Sequence, residues 1–264
     1  MAEWRPASLV IGGTARDCAQ FLPAAFARLD ELARGRRVYY VFYESNSVDE
    51  TLALLVAFVS TRAGRVFTEK TAGTRTERIA RGRNAVIEHV ESVLGVSPYN
   101  FFVNLDLDDR CAFDVCSVRA CLARSHEWDI ATASQSREYY DRWALRTTAA
   151  GDMYDGQGHC IVGFDIPAPA GSGCVIPPIS HWFPGRGIEG KRTFPPDAPY
   201  FNVLSAFGAL AIYKTCLLRG ARYSGGKTLD ARVPECEHVP FHAEIARMFP
   251  GVRIVIAPYL ISGP

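Results

Sequence analysis

Along the first hundred residues, short apolar runs alternate with stretches whose apolar positions recur every three or four residues. Ser8 to Ile11 reads as a brief strand ending in Gly12-Gly13-Thr14, and Ala15 to Arg34 as a helix bent at Pro23. Val38 to Phe42 is a β-branched and aromatic run that ends in Glu44-Ser45-Asn46-Ser47. Ser47 and Glu50 have the spacing of a capping box, which predicts a helix over Val48 to Ala63. A short strand at Arg65 to Thr68, a long helix from Thr76 to Leu94 and a strand at Tyr99 to Leu105 complete the series. Strand–helix alternation of this kind predicts crossover units and a mostly parallel sheet. Ligands of such sheets bind beyond the carboxyl ends of the strands, so the residues just after each strand carry the functional question.

The second half is less regular. Residues 147–200 are rich in Gly and Pro with little periodicity, which marks a functional lid or an unstructured segment. Order returns at Ala206 to Tyr213, followed by a turn at Gly225-Gly226 and a helix from Phe241 to Met248. Ile254 to Ala257 is expected as a last edge strand. No internal repeat or linker interrupts the 264 residues, which predicts one α/β domain with an irregular C-terminal half.

Composition narrows the partners. Twenty-nine Lys and Arg against 28 acids leave a formal charge of +1, with no footprint for nucleic acid or an anionic membrane. An apolar share of 48% indicates a globular fold. No run approaches the roughly 20 apolar residues of a membrane span, and no secretory leader is visible, so a cytoplasmic protein is expected. The eight cysteines contain no C-x-x-C pair and read as reduced thiols.

The most informative stretch is Asn104-Leu105-Asp106-Leu107-Asp108-Asp109, an apolar strand running into three acids. Crowded carboxylates repel unless a cation neutralises them, and hard oxygen ligands suit Mg²⁺ or Mn²⁺ bridging a diphosphate. Asp106/Asp108 and Asp108/Asp109 both serve as ligand pairs; the plain alternative is a solvated acidic turn.

In the helix before that strand, Ile79, Val86, Val90 and Val93 fall on one stripe at about 100° per residue. Arg83 lands inside this apolar face. A buried guanidinium needs partners, which points to the acids after the fourth strand or a ligand diphosphate, unless the side chain snorkels to solvent. Arg75 and Arg78 stand near the helix start, where anions are favoured.

Other candidates are weaker alone. Gly12, Thr14 and Arg16 follow the first strand where backbone can approach a nucleotide, although the spacing is not that of a dinucleotide fingerprint. Glu44 and Asn46, after the second strand, are placed to read a base or ribose. Asp141 sits among aromatics in Tyr139-Tyr140-Asp141-Arg142-Trp143, a composition that suits sugar rings and hydroxyls. Glu235-Cys236-Glu237-His238 offers Glu237 as a base and His238 as a third ligand to the cation, and Pro240 argues against a zinc pair of His238 with His242.

Six segments occur in an order that resembles one family: FYESNSVDET (42–51), RIARGRNAVIEHV (78–90), NFFVNLDLDD (100–109), YYDRWALR (139–146), FGALAIYK (207–214) and ECEHVPF (235–241). They are similar to the GT-A glycosyltransferases of large DNA viruses and to the fungal capsule-type α-1,3-mannosyltransferases. The resemblance implies a Rossmann-like GT-A sheet flanked by helices, with a nucleotide-sugar half at 1–110 and an acceptor-side half at 111–264. It implies a UDP- or GDP-linked donor, a glycan acceptor, and Mn²⁺ or Mg²⁺ as cofactor. Asp106 and Asp108 then match the metal acids, Arg83 and Asn84 the A-R-N segment, and Cys236, Glu237 and His238 the C-E-H segment. Two departures stand out, L-D-L-D-D where fungal members carry a single Asp, and Ala209 where a second Gly is expected. A nucleotidyltransferase and a non-catalytic carbohydrate-binding protein of the same fold are the rival readings.

Overall fold

The computed structural model describes residues 8–94, 99–108, 112–136, 139–141, 143–147, 196–225 and 235–263. Asp109, Arg142, Gly226 and nearly all of the irregular 147–200 stretch lie outside them.

Four strands and three helices alternate first: β1 (Ser8–Ala15), α1 (Leu22–Ala33), β2 (Val38–Glu44), α2 (Thr51–Ser60), β3 (Gly64–Thr68), α3 (Arg75–Leu94) and β4 (Tyr99–Leu105). There follow α4 (Val115–Ala123), β5 (Ile130–Ser134), the two-residue β6 (Arg146–Thr147), β7 (Phe201–Ser205), β8 (Leu210–Lys214), α5 (His238–Met248) and β9 (Ile254–Ile261). The strands form one nine-stranded sheet in the order β3-β2-β1-β4-β8-β5-β9-β7-β6. β1 to β4 are parallel, β8 runs against both β4 and β5, and β7 runs against both β9 and β6. All strands except β7 and β8 therefore share one direction, the mostly parallel α/β sheet expected. Among the described residues no helix is long and apolar enough to cross a membrane.

Alternation along the strands divides the core between two faces. Leu9 and Ile11 of β1 and Phe101, Val103 and Leu105 of β4 pack on one side with α1, α2 and α4. Val10 and Phe102 point to the other side, with Val86, Ile87 and Val90 of α3 and Phe241 and Ile245 of α5. Each such fully buried aliphatic side chain contributes about 1.5–3 kcal/mol of transfer free energy.

Several boundaries differ from the sequence reading for identifiable reasons. β1 continues through Gly12-Gly13-Thr14 to Ala15, because it pairs with β2 as far as Glu44. A Cβ on Gly12 would collide with the carbonyl oxygen of Val41, and one on Gly13 with that of Leu105, so close strand approach requires these glycines. α1 begins at Leu22 with Pro23 in its first turn, where its missing N–H costs nothing, so the proline starts the helix instead of bending it. The capping box is absent. Ser47 Oγ accepts from Asp17 N at 3.1 Å, Glu50 makes no side-chain cap, and α2 starts only at Thr51. β9 is an inner strand between β5 and β7, not an edge. α5 begins at His238 and accommodates Pro240 in its first turn.

The turn into β8 holds the one conformational tension that bears on the site. Gly208 (φ 68°) and Ala209 (φ 65°) are both left-handed, and Ala209 is fully buried. The Ala209 carbonyl accepts from Asp106 N at 2.9 Å, so this strained residue fixes the backbone at the start of the acidic loop. An alanine at positive φ costs about 1–2 kcal/mol relative to its right-handed basin, partly offset in a glycine variant by extra unfolded-state entropy. Ala209→Gly is expected to raise unfolding free energy by about 0.5–1 kcal/mol in urea denaturation. Gly208→Ala, whose Cβ would strike the Ala133 carbonyl, is expected to lower it by more than about 2 kcal/mol; the reverse order would refute the strain argument.

Candidate active site

The carboxyl ends of β1, β2 and β4 open into a pocket of about 630 Å³. Its walls are Thr14 to Arg16 and Cys18, Tyr43 and Ser45 at the end of β2, the first turns of α3, Asp106 to Asp108, Tyr140, Asp141 and Trp143, Phe207 and the start of α5. α3 can lie this close only because residue 82 is glycine, since a Cβ there would stand 2.6 Å from Tyr43 Cδ1.

Arg83 is the hub of the site. Its side chain is 5% exposed, and every arm of the guanidinium is taken. Nε donates to Glu237 Oε1 at 3.0 Å, Nη1 to Asn104 Oδ1 at 3.3 Å and Nη2 to Asp106 Oδ1 at 3.0 Å. Phe207 lies under the plane at 4.7 Å. Burial opposes the charge, but Asp106 and Glu237 outweigh it and hold the group above its ordinary pKa. The apolar-face arginine is thus buried and paired, and it joins β4 to the N-terminus of α5. Three of its five N–H donors are spent on these partners, so it positions the carboxylates around it.

Asp106 is partly exposed (27%) at the pocket wall. Burial, opposed by Arg83 and reinforced by Asp108 and Glu237, pushes its pKa up to about 7. Asp108 is exposed and lines the same pocket. His238 is buried and stacked on Phe207 at 3.9 Å, and neither ring nitrogen has a hydrogen-bond partner among the described residues. Burial, then the charge of Arg83, keeps it neutral. Two hard carboxylates and an orphaned neutral imidazole on one wall fit a divalent cation of the Mn²⁺ or Mg²⁺ kind. Among the described residues, however, no three His, Cys, Asp or Glu side chains are already gathered as a ligand group. Asp109 lies outside the described residues, so the Asp108/Asp109 pair is not placed.

Other expected site residues divide sharply. Thr14, Arg16 and Arg78 line the pocket, and Arg75 joins them, lying over the Trp143 ring at 5.5 Å. Gly12 is buried in β1 and does not reach it. Glu44 is only 3% exposed and braces its own loop, accepting from Ser47 N at 2.8 Å and Thr68 Oγ1 at 2.7 Å. Asn46 sits at φ 59° and bonds Thr71 through both side-chain atoms. Asn84 clamps the backbone of Tyr223, donating to its carbonyl at 2.9 Å and accepting from its N–H at 2.7 Å. All three side chains are engaged by the surrounding loops and strap. Asp141 lines the pocket, but Oδ1 accepts from Ala144 N at 3.4 Å and Oδ2 from Gly208 N at 2.8 Å, so it braces two turns.

Sequence reasoning missed Phe207, Cys18, Tyr43 and the buried pair Asn104 and Tyr223. Asn104 carried one available signal, an amide inside an apolar strand; Tyr223 carried none.

No protein-family model matches the sequence, and no curated protein matches it. Solved structures do match. The chain superposes on Staphylococcus aureus TarS 1–349 in complex with UDP with a TM-score of 0.55 at 12% identity, over 97% of this chain and 59% of that one. It superposes on the mannosyltransferase PcManGT from Pyrobaculum calidifontis, in complex with GDP-Man and Mn²⁺, with a TM-score of 0.55 at 13% identity, over 99% and 57%. The fold is that of the GT-A glycosyltransferases. The chain spans less than three fifths of the length of either neighbour.

The second histidine of α5 is also buried: His242 Nε2 pairs with the Tyr213 hydroxyl and Nδ1 with that of Ser205, each at 3.0 Å. Burial lowers its pKa to about 3. A depressed histidine contributes stability that is complete above its unfolded pKa of about 6.5 and is lost as pH falls toward about 3. Near pH 5, His242→Gln is expected to reduce proton uptake on unfolding by about one, flattening the stability slope by about 1.4 kcal/mol per pH unit. Parallel slopes for the two proteins would show that His242 is charged in the fold.

Proposed function

We propose that this chain is a divalent-cation-dependent glycosyltransferase that moves a sugar from a UDP- or GDP-linked donor to a glycan acceptor. The observation that carries the reading is the single buried guanidinium tying Asp106, at the end of β4, to Glu237, at the start of α5, on the wall of one pocket. Nucleotide-bound neighbours of the same fold support it.

Asp106 and Asp108 would hold Mn²⁺ or Mg²⁺, with His238 as a third donor once its ring moves off the Phe207 stack. Bound there, the cation supplies Lewis-acid neutralisation of the departing diphosphate. Arg75 and Arg78 line the pocket with no carboxylate partner among the described residues. They take the role of gripping the diphosphate, which the sequence had suggested for Arg83 helped by Arg78. Arg83 holds Glu237 through Oε1, while among the described residues Oε2 meets only the Cys236 thiol at 3.9 Å. That second oxygen is the atom that takes the proton of an acceptor hydroxyl, and Arg83 holds the carboxylate in place for it. The nucleotidyltransferase reading loses its main support, because Gly12 and Gly13 lie inside β1 and form no phosphate loop.

Thermal unfolding with UDP, GDP and their sugars, with and without Mn²⁺, tests the proposal. Ligand at a hundredfold excess over Kd adds about 2.7 kcal/mol to the native state. One diphosphate is expected to stabilise the protein only with Mn²⁺, and Asp108→Ala to abolish that shift. Arg78→Ala is expected to weaken diphosphate binding about tenfold while leaving Mn²⁺ binding intact, since it removes one charge-assisted contact. Sugar binding without any response to a nucleoside diphosphate would overturn the transferase reading in favour of a carbohydrate-binding protein.

A further inference from the structure

A buried polar chain runs away from Arg83 into a part of the molecule that the mechanism does not use. Asn104 accepts from Arg83 Nη1 at 3.3 Å and donates through Nδ2 to the Tyr223 hydroxyl at 3.2 Å. In the same core cluster the Tyr213 hydroxyl meets His242 Nε2, and His242 Nδ1 meets the Ser205 hydroxyl. Asn104, Tyr223, Tyr213, His242 and Ser205 are each at most 4% exposed.

The segment carrying Tyr223 is pinned between α3 and α5. Arg222 N donates to Glu244 Oε2 at 3.0 Å, and its guanidinium donates to Glu91 at 2.7 Å. Asn84 clamps the Tyr223 backbone from both sides. Gly225 lies so close to Glu77 that no Cβ fits between them. The ring of Tyr223 stacks on Phe241 at 3.8 Å with an interplanar angle of 12°. The tyrosine hydroxyl is therefore delivered to Asn104 by a strap fixed on three sides.

We propose that Tyr223 is a positioning residue: through Asn104 and Arg83, its hydroxyl sets the orientation in which Asp106 meets a divalent cation. An amide can face a guanidinium in two orientations, of which only one presents its oxygen. Arg83, which only donates, takes Oδ1, and the Tyr223 hydroxyl accepts from Nδ2 and so holds the amide from its other end. Arg83 can then reach Asp106 Oδ1 and Glu237 Oε1 together, which leaves Asp106 Oδ2 outside that pairing. Without the hydroxyl the buried Nδ2 loses its partner, the amide is no longer held from behind, and the guanidinium loses its fixed third contact. Groups that orient metal ligands from behind are worth about 10–100-fold in metal affinity, and one step further back the lower end applies.

The inference rests on the cation-dependent reading. Mn²⁺ binding is measured by the loss of the free-ion electron paramagnetic resonance signal, on wild type, Tyr223→Phe and Phe241→Leu. Tyr223→Phe keeps the ring stack and removes one oxygen; its Mn²⁺ Kd is expected to rise about tenfold. Phe241→Leu disturbs the stack but no polar atom; it is expected to lower the melting temperature and leave Mn²⁺ Kd unchanged. Unchanged Mn²⁺ affinity in Tyr223→Phe overturns the proposal while leaving the transferase reading standing. Equal weakening in both variants shows that packing is what matters and also overturns it. A wild-type protein that binds no Mn²⁺ overturns this proposal and the cation-dependent reading together.

Discussion

A guanidinium buried in an apolar helix face must be fully paired or it unfolds its surroundings. Stranding one partner of such a group costs about 3–5 kcal/mol. Arg83 meets that condition by drawing Asn104 and Asp106 from β4 and Glu237 from α5 onto one side chain. Elements far apart in sequence are therefore held in register by electrostatics as well as by packing. The same constraint gathers carboxylates at the carboxyl ends of parallel strands, where the fold class leaves room for a ligand. Stability and site geometry share a cause here.

The surroundings are built to the same end. Ala209 accepts an unfavourable backbone angle and in return offers its carbonyl to Asp106 N. Asp141 spends both oxygens on backbone N–H groups, one of them that of Gly208. The two loops at the other end of the pocket are bolted together: Val48 N donates to Asp17 Oδ1 at 2.8 Å, Ala19 N to Asp49 Oδ2 at 3.0 Å and Cys18 N to Thr51 Oγ1 at 2.9 Å. A wall braced this heavily keeps its shape without a ligand, which suits electrostatic stabilisation by pre-oriented groups.

Much of this was legible in the sequence because it rests on period and position. The 2- and 3.6-residue periods located β4 and α3 almost to the residue, and the burial of Arg83 followed from its place on the stripe of α3. Short polar motifs were less legible. Glu44, Asn46 and Asn84 are the residue types that contact nucleotides, but the same groups satisfy loop and strap backbone, and nothing local distinguishes the two uses. The capping box failed because Ser47 had a tertiary partner in Asp17, 30 residues away. Tyr223 was invisible because its role depends on contacts with Asn84 and Asn104, more than a hundred residues distant.

The most direct measurement is anomalous diffraction from crystals of the protein soaked with Mn²⁺ and a nucleoside diphosphate. The account predicts a manganese peak between the Asp106 and Asp108 carboxylates, with the diphosphate toward Arg75 and Arg78 and Arg83 still bonded to Asp106 and Glu237. A metal bound elsewhere, or an Arg83 that leaves Asp106 to reach the phosphates, would contradict it.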